Sequence, residues 1–270
     1  MHDEPLPVTA WSQLWSPKDF TWVYGVTPFT SRNTIVTAWA LYFSTILILK
    51  RYMRDRAAFT LRKATALHNL FLCLASFFIF AGVIRYTYAR AQTRGIDEVF
   101  CTTDTTSLSG PLTWFLYIYY LSKFYELLDT VILVLKKKPV IFLHWYHHAI
   151  VIVMVWSWLQ YGIVFSVLGT IANAGVHVFM YYYYFRTSLG GIVWFKRYLT
   201  GLQIVQFSAS FILSIPYVYY HLTKGCGGGP AFIFSMAVNA SFLVLFINFY
   251  KGAYGKSKTP AVGPAKKKAS

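Results

Sequence analysis

The chain has 270 residues, of which 56% are hydrophobic, 20% aromatic and only 13% charged, with a formal net charge of +16; its mean hydropathy is +0.46. A soluble domain carries about 25% charged residues, and a chain this apolar would show large apolar patches to water. An ordinary soluble domain, a disordered chain and a coiled coil are excluded, which leaves a multi-span membrane protein.

Residues 1–32 lack the basic-then-apolar pattern of a cleaved signal peptide. Trp11, Trp15, Trp22, Tyr24 and Phe29 there read as an interfacial aromatic segment. Charge-poor runs follow at 33–49, 67–84, 111–135, 140–161, 163–185, 198–220 and 231–250. Each is about 17–25 residues, long enough to cross a bilayer as a helix and too continuous for barrel strands. The expected fold is all-α, with an interfacial N-terminal segment 1–32, a seven-helix transmembrane domain 33–250 and a basic tail 251–270.

Charge sets the orientation. One side receives Lys50, Arg51, Arg54, Arg56, Arg62, Lys63, Lys136, Lys137, Lys138, Arg186, Lys196, Arg197, Lys251 and the lysines of the tail, against the single acid Asp55. On the other side Lys18, Arg32, Arg85, Arg90, Arg94 and Lys224 are balanced by Asp3, Glu4, Asp19, Asp97, Glu98 and Asp104. The positive-inside rule makes the basic face cytosolic, with the N-terminus outside and the C-terminus inside. The excess charge therefore requires no nucleic acid. It serves topology and contact with anionic membrane lipid, and a sharper use is to grip a phosphate-rich ligand.

Cys73 lies within the second run and reads as a small apolar residue. Cys101 and Cys226 lie in different loops on the same non-cytosolic side. If that compartment is oxidising, a disulfide is favoured over two free thiols. The sequon Asn239-Ala240-Ser241 falls inside a span and is expected to be unused.

Ionisable groups within spans are costly and by default functional. The third run carries Lys123, Glu126 and Asp129, the fourth His144, His147 and His148, the fifth Asn173 and His177, and the sixth Gln203 and Gln206. At about 1.5 Å per residue these lie about 8–20 Å from the cytosolic helix ends, a single slab across four helices. One polar chamber facing the cytosol is expected. The bland readings are a self-compensating ion network for Lys123 and Glu126, interhelical glue for Gln203 and Gln206, and a satisfied core histidine for His177. His144, His147 and His148, at i, i+3 and i+4, share one helix face and have no packing rationale. Three imidazoles hold a metal or do acid–base and nucleophilic chemistry. The HxxHH string also occurs in membrane di-iron enzymes, but seven histidines without a second box leave two irons short of ligands. A single metal on His144, His148 and His177 ranks low, and His68 is a candidate rim residue.

At these residues the chain resembles the very-long-chain fatty-acid elongase family, the 3-oxoacyl-CoA synthases of the endoplasmic reticulum. Lys123 to Thr130 looks like the family's KxxExxDT motif, His144 to His148 like its HxxHH box, Asn173 to Tyr181 like NxxxHxxMY, and Thr200 to Gln206 like TxxQxxQ. Lys267 and Lys268, fourth and third from the end, resemble a dilysine retrieval signal. The run of four tyrosines from Tyr181 to Tyr184 departs from the family, which tends to interrupt its second position.

The resemblance implies seven spans, six of them around an acyl-chain tunnel and the first outside, with the N-terminal segment lumenal. It implies condensation of a long-chain acyl-CoA with malonyl-CoA to 3-oxoacyl-CoA, carbon dioxide and CoA, with no cofactor or metal and with the other elongation-cycle enzymes as partners. His147 would be the acyl acceptor, His177 and Asn173 oxyanion or enolate stabilisers, and His144 and His148 its orienting partners. Lys123, Glu126, Asp129, Gln203 and Gln206 would support them. Lys136, Lys137, Lys138, Arg186, Lys196, Arg197 and Lys251 would meet the CoA phosphates. The rival mechanism is a single-step condensation with His147 as general base. The alternative function, a seven-span receptor or carrier, fits the span count but not a cytosol-facing histidine chamber. Depth arithmetic gives a straight tunnel for roughly 12–14 carbons. With the local resemblance around Ile141 to His148, this points to saturated or monounsaturated chains near about sixteen carbons.

Overall fold

The computed structural model describes residues 12–103 and 109–255. Trp11, Asp104, Lys267 and Lys268 lie outside them, as do the other tail lysines from Lys256. The described residues form eight α-helices and no strand, only an isolated bridge between Thr21 and Ser109. The helices are α1 (Arg32–Met53), α2 (Arg62–Arg94), α3 (Gly110–Tyr125), α4 (Leu128–Leu135), α5 (Phe142–Gln160), α6 (Ser166–Ser188), α7 (Lys196–Lys224) and α8 (Gly229–Tyr254). By length and composition α1, α2, α7 and α8 can each cross a membrane. The polytopic membrane character follows from these helices and from their outward faces. Leu47, Ile48, Leu67, Phe71, Leu74, Ile212, Ile215, Ile233 and Val244 are all exposed, while the polar residues of the middle helices turn inward. A backbone that satisfies its own hydrogen bonds within each segment is what such a setting demands.

The run 111–135 is not one helix but two. Around Glu126 and Leu127 the bonding tightens to i→i+3, with Leu127 N bonded to Phe124 O, Asp129 N to Glu126 O and Thr130 N to Leu127 O. A 3-10 step of this kind inside a helix rotates the side chains on either side of it. It falls within the motif that carries Lys123, Glu126 and Asp129.

Six helices close a circuit. α2 packs on α3, α3 on α5, α5 on α8, α8 on α7, α7 on α6, and α6 returns to α2. α1 stands outside it, against α4 and α5. The α2–α3 approach depends on Gly82, where any Cβ would meet the Phe115 ring at 2.0 Å. Aromatic layers fill the core: Tyr117, Tyr119 and Tyr120 on α3 meet Ile152, Val155 and Trp156 on α5.

The N-terminal segment is partly built into this core. Trp15, Tyr24 and Phe29 are exposed, but Trp22 is buried beside Phe20, and its Nε1 donates to Gln160 Oε1. The segment's backbone oxygens are acceptors for the bundle: Pro28 O for Tyr117, Phe29 O for Tyr120 and Thr30 O for Trp156. The aromatic residues of the segment read as interfacial, but Trp is at home at an interface or in a core, and its burial and its bond to Gln160 place Trp22 in the core.

At the end of the molecule away from the basic loops, Cys101 and Cys226 form a disulfide between chain segments 125 residues apart. Gly225, left-handed at φ 74°, ends α7 and turns the chain into it. Beside it the Lys224 ammonium donates to Asp97 at 2.6 Å, and this hydrogen bond holds the Asp97 carboxyl below its usual range. Asn239 of the sequon is buried in α8 and donates to Phe207 O of α7, so it is an interhelical tie. The cross-link leads to a prediction. Non-reducing peptide mapping is expected to recover the 101–226 pair. Cys101→Ser/Cys226→Ser is expected to lower thermal stability, with an ideal loss of about 4–5 kcal/mol; an unchanged melting temperature would remove the bond from the account of stability.

Candidate active site

The circuit encloses a cavity of about 550 Å³ near its basic end. Its wall includes His144, His147, His148, Asn173, His177, Glu126, Asp129, Gln203 and Gln206. Lys136, Lys138 and Lys196 also line it, and so do Tyr181, Tyr183 and Tyr184. A second, apolar cavity of about 80 Å³ continues toward the disulfide end, between Val151, Met154, Phe165, Leu168, Leu213 and Phe232. The two share four lining residues: His147, Asn173, Gln206 and Phe207.

The ionisable groups are tied in two networks. In the deeper one Lys123 Nζ lies 2.7 Å from Glu126 Oε1, both side chains 3% exposed. Ser122 also donates to Glu126 Oε1, and His177 Nδ1 is 3.7 Å from it. The Lys123 ammonium sits 4.2 Å from the Tyr119 ring centroid. The Tyr119 hydroxyl donates to Asn173 Oδ1 at 2.8 Å, and Lys123 Nζ reaches the same oxygen at 3.5 Å. Asn173 Oδ1 is thus occupied, while its Nδ2 makes no hydrogen bond among the described residues and is free to donate into the cavities.

In the shallower network Asp129 stands between helices. Its Oδ1 is 2.7 Å from His68 Nε2 of α2, and its Oδ2 accepts from the Tyr181 hydroxyl of α6 at 2.9 Å. His148 Nε2 is 4.0 Å from Oδ2. Next to it Thr130 Oγ1 lies 2.9 Å from His144 Nε2. The His144 and His148 rings are 4.4 Å apart. His147, like His148, makes no hydrogen bond among the described residues; it touches the His148 and Phe242 rings and, of the three box histidines, is the one that lines both cavities. It is the imidazole left open toward both cavities.

Other residues of interest in the sequence lie apart from the chamber wall. Lys123 is behind it, paired with Glu126. Lys137 donates to Arg54 O, Arg197 to the Tyr250 hydroxyl, and Arg186 and Lys251 are exposed to the outside. Gln203 is on the wall itself, where its Nε2 donates to Met180 Sδ of α6. Tyr119 and Tyr42 carry no signal in sequence beyond ordinary aromatic residues, and Thr130 and Tyr181 stand out only as the last residues of two motifs; only the packing reveals their bonds. Among the described residues no three His, Cys, Asp or Glu side chains converge as metal ligands.

Fold and site together define a polytopic helical membrane protein with a histidine-lined chamber leading to an apolar pocket. Residues 27–262 match the model of the ELO (GNS1/SUR4) family. A putative fatty acid elongase of Dictyostelium discoideum is 39% identical over 92% of this chain and 85% of its own length. Long chain fatty acid elongase 1 of Caenorhabditis elegans is 32% identical over 93% and 90%. Very long chain fatty acid elongase 4 of mouse is 32% identical over 83% and 72%. The chain belongs to the ELO (GNS1/SUR4) family.

The buried ion pair gives a stability prediction. Removing one partner strands the other in a low-dielectric interior, so Lys123→Met is expected to destabilise by about 3–5 kcal/mol. Lys123→Met/Glu126→Gln together should cost less than that single change. Thermal denaturation in detergent compares them, and equal losses would show that the pair is not a unit.

Proposed function

We propose that this protein elongates fatty acids by condensing a long-chain acyl-CoA with malonyl-CoA, giving 3-oxoacyl-CoA, carbon dioxide and CoA. The observation that carries the reading is His147, unbonded at the junction of a polar chamber and an apolar pocket. A thioester carbonyl at that junction would have its acyl tail in the pocket and its CoA toward Lys136, Lys138 and Lys196. The relatives' names support the same reaction class. Further parts of the reading are a tunnel within seven spans, residence in the endoplasmic reticulum with the basic face cytosolic, retrieval through Lys267 and Lys268, and work alongside the other elongation enzymes. The reaction needs no cofactor, because thioester cleavage and decarboxylation supply its driving force.

The neutral His147 ring attacks the acyl carbon, the carbon–sulfur bond breaks, and the proton from the acylated ring leaves with CoA. Malonyl-CoA then loses carbon dioxide, and the electron pair of that bond becomes an enolate. The enolate attacks the acyl carbon, the carbon–nitrogen bond breaks, and His147 takes up a proton. Asn173 Nδ2 and His177 are the donors for the developing oxyanion. His148 and His144 flank the nucleophile, and Asp129 orders the group from behind.

Purified protein given acyl-CoA and malonyl-CoA is expected to release carbon dioxide and form a product two carbons longer. His147→Ala should lose more than about 99% of that activity while keeping its fold. No two-carbon extension by the wild type, or ample activity in the variant, would overturn the reading. Over a ladder of saturated acyl-CoA substrates the rate is expected to peak near about sixteen carbons, and a peak at markedly longer chains would show that the apolar pocket does not limit length.

A further inference from the structure

α1 has no seat in the six-helix circuit, and none of its residues lines either cavity. Yet it grips the histidine box at two points. Trp39 Nε1 donates to Ala149 O at 2.9 Å, next to His148. One turn on, the Tyr42 hydroxyl lies 2.8 Å from Thr130 Oγ1, which in turn lies 2.9 Å from His144 Nε2. Tyr42 and Thr130 are 5% and 0% exposed. These three side chains make no other hydrogen bond among the described residues.

The chain has two possible directions, and counting protons separates them. Each hydroxyl owns one hydrogen, and a neutral imidazole owns one N–H. If His144 Nε2 held its hydrogen, it would donate to Thr130 and Thr130 would donate to Tyr42. The buried Tyr42 hydrogen would then have no acceptor, or, if Tyr42 also donated to Thr130, the buried Thr130 hydrogen would have none; either is costly away from water. If Tyr42 donates to Thr130 and Thr130 donates to Nε2, both buried hydroxyl hydrogens are used, and the imidazole proton is left on Nδ1 of a half-buried ring that lines the chamber. We infer that Tyr42, acting through Thr130, is a positioning residue that fixes His144 in one tautomer, with its proton on Nδ1 and Nε2 as acceptor. α1 thereby sets the state of a ring 4.4 Å from His148 without touching substrate. The inference rests on reading the box as the reaction centre.

Two measurements test it, one independent of activity. In protein labelled with 15N-histidine, with His144 assigned by the signals lost in His144→Asn, Nε2 is expected to resonate as unprotonated in the wild type. In Tyr42→Phe the two tautomers should mix. In the condensation assay Tyr42→Phe and Thr130→Val should each lower kcat roughly tenfold or more with little change in KM. Thr130→Ser, which keeps the hydroxyl, should retain most activity. Tyr42→Phe/Thr130→Val should be no worse than Thr130→Val alone, because both cut the same chain. A protonated Nε2 in the wild type, an unaltered kcat in Tyr42→Phe, or losses that multiply in the double variant would each overturn the proposal. A wild-type protein without condensation activity but with unprotonated Nε2 would overturn the functional reading and still support the tautomer assignment.

Discussion

A charge on a membrane helix must find a partner before it can be buried, and this requirement shapes the middle of the molecule. Lys123 in the last turn of α3 and Glu126, the residue that caps it, neutralise each other with both side chains 3% exposed. The tightened turn that follows carries Asp129 to a different bearing, where it meets His68 of α2 and Tyr181 of α6. Two carboxylates three residues apart thus serve two networks, and those networks tie α3 and α4 to the helices across the circuit. Loss of either set of partners would leave an uncompensated buried group, which is far more costly than the absence of the pair altogether.

That arrangement divides the interior by polarity. Basic side chains stand at one end, imidazoles and carboxylates occupy the chamber, and aromatic and aliphatic side chains line the pocket beyond. A disulfide and a buried aromatic cluster of Phe165, Tyr217 and Phe232 finish the far end. A fatty acyl thioester has the same order of parts, with a phosphorylated carrier, a polar reactive carbonyl and an apolar tail. The fit between the two sequences of polarity underlies the proposed reaction, and the shared residues His147 and Asn173 stand where the carbonyl would fall.

Much of this was readable before any coordinates. The charge-poor runs locate the helices because hydropathy needs no knowledge of packing. The polar slab follows from rise per residue alone, and the structure gathers Glu126, Asp129, the three box histidines, Asn173 and His177 around one cavity. Rotation about each helix axis is a different matter. The break at Glu126 and Leu127 has no Pro or Gly to announce it, and the pairing of Asp129 with His68 and Tyr181 depends on three helices at once. Charge counts put Lys137, Arg186, Arg197 and Lys251 on the basic face but do not aim them, and their side chains turn away from the chamber. Tyr42 was hidden for the same reason, since a tyrosine on an outer helix has no distinguishing spacing.

The most direct test is a single turnover with acyl-CoA alone. With malonyl-CoA withheld, the second half of the reaction cannot proceed. Free CoA should then appear stoichiometrically with protein, and mass spectrometry should find the acyl mass on the peptide containing His147. Release of no CoA, or an unmodified His147 in protein that still condenses when malonyl-CoA is added, would contradict the acyl-imidazole account and leave His147 as a base in a one-step condensation.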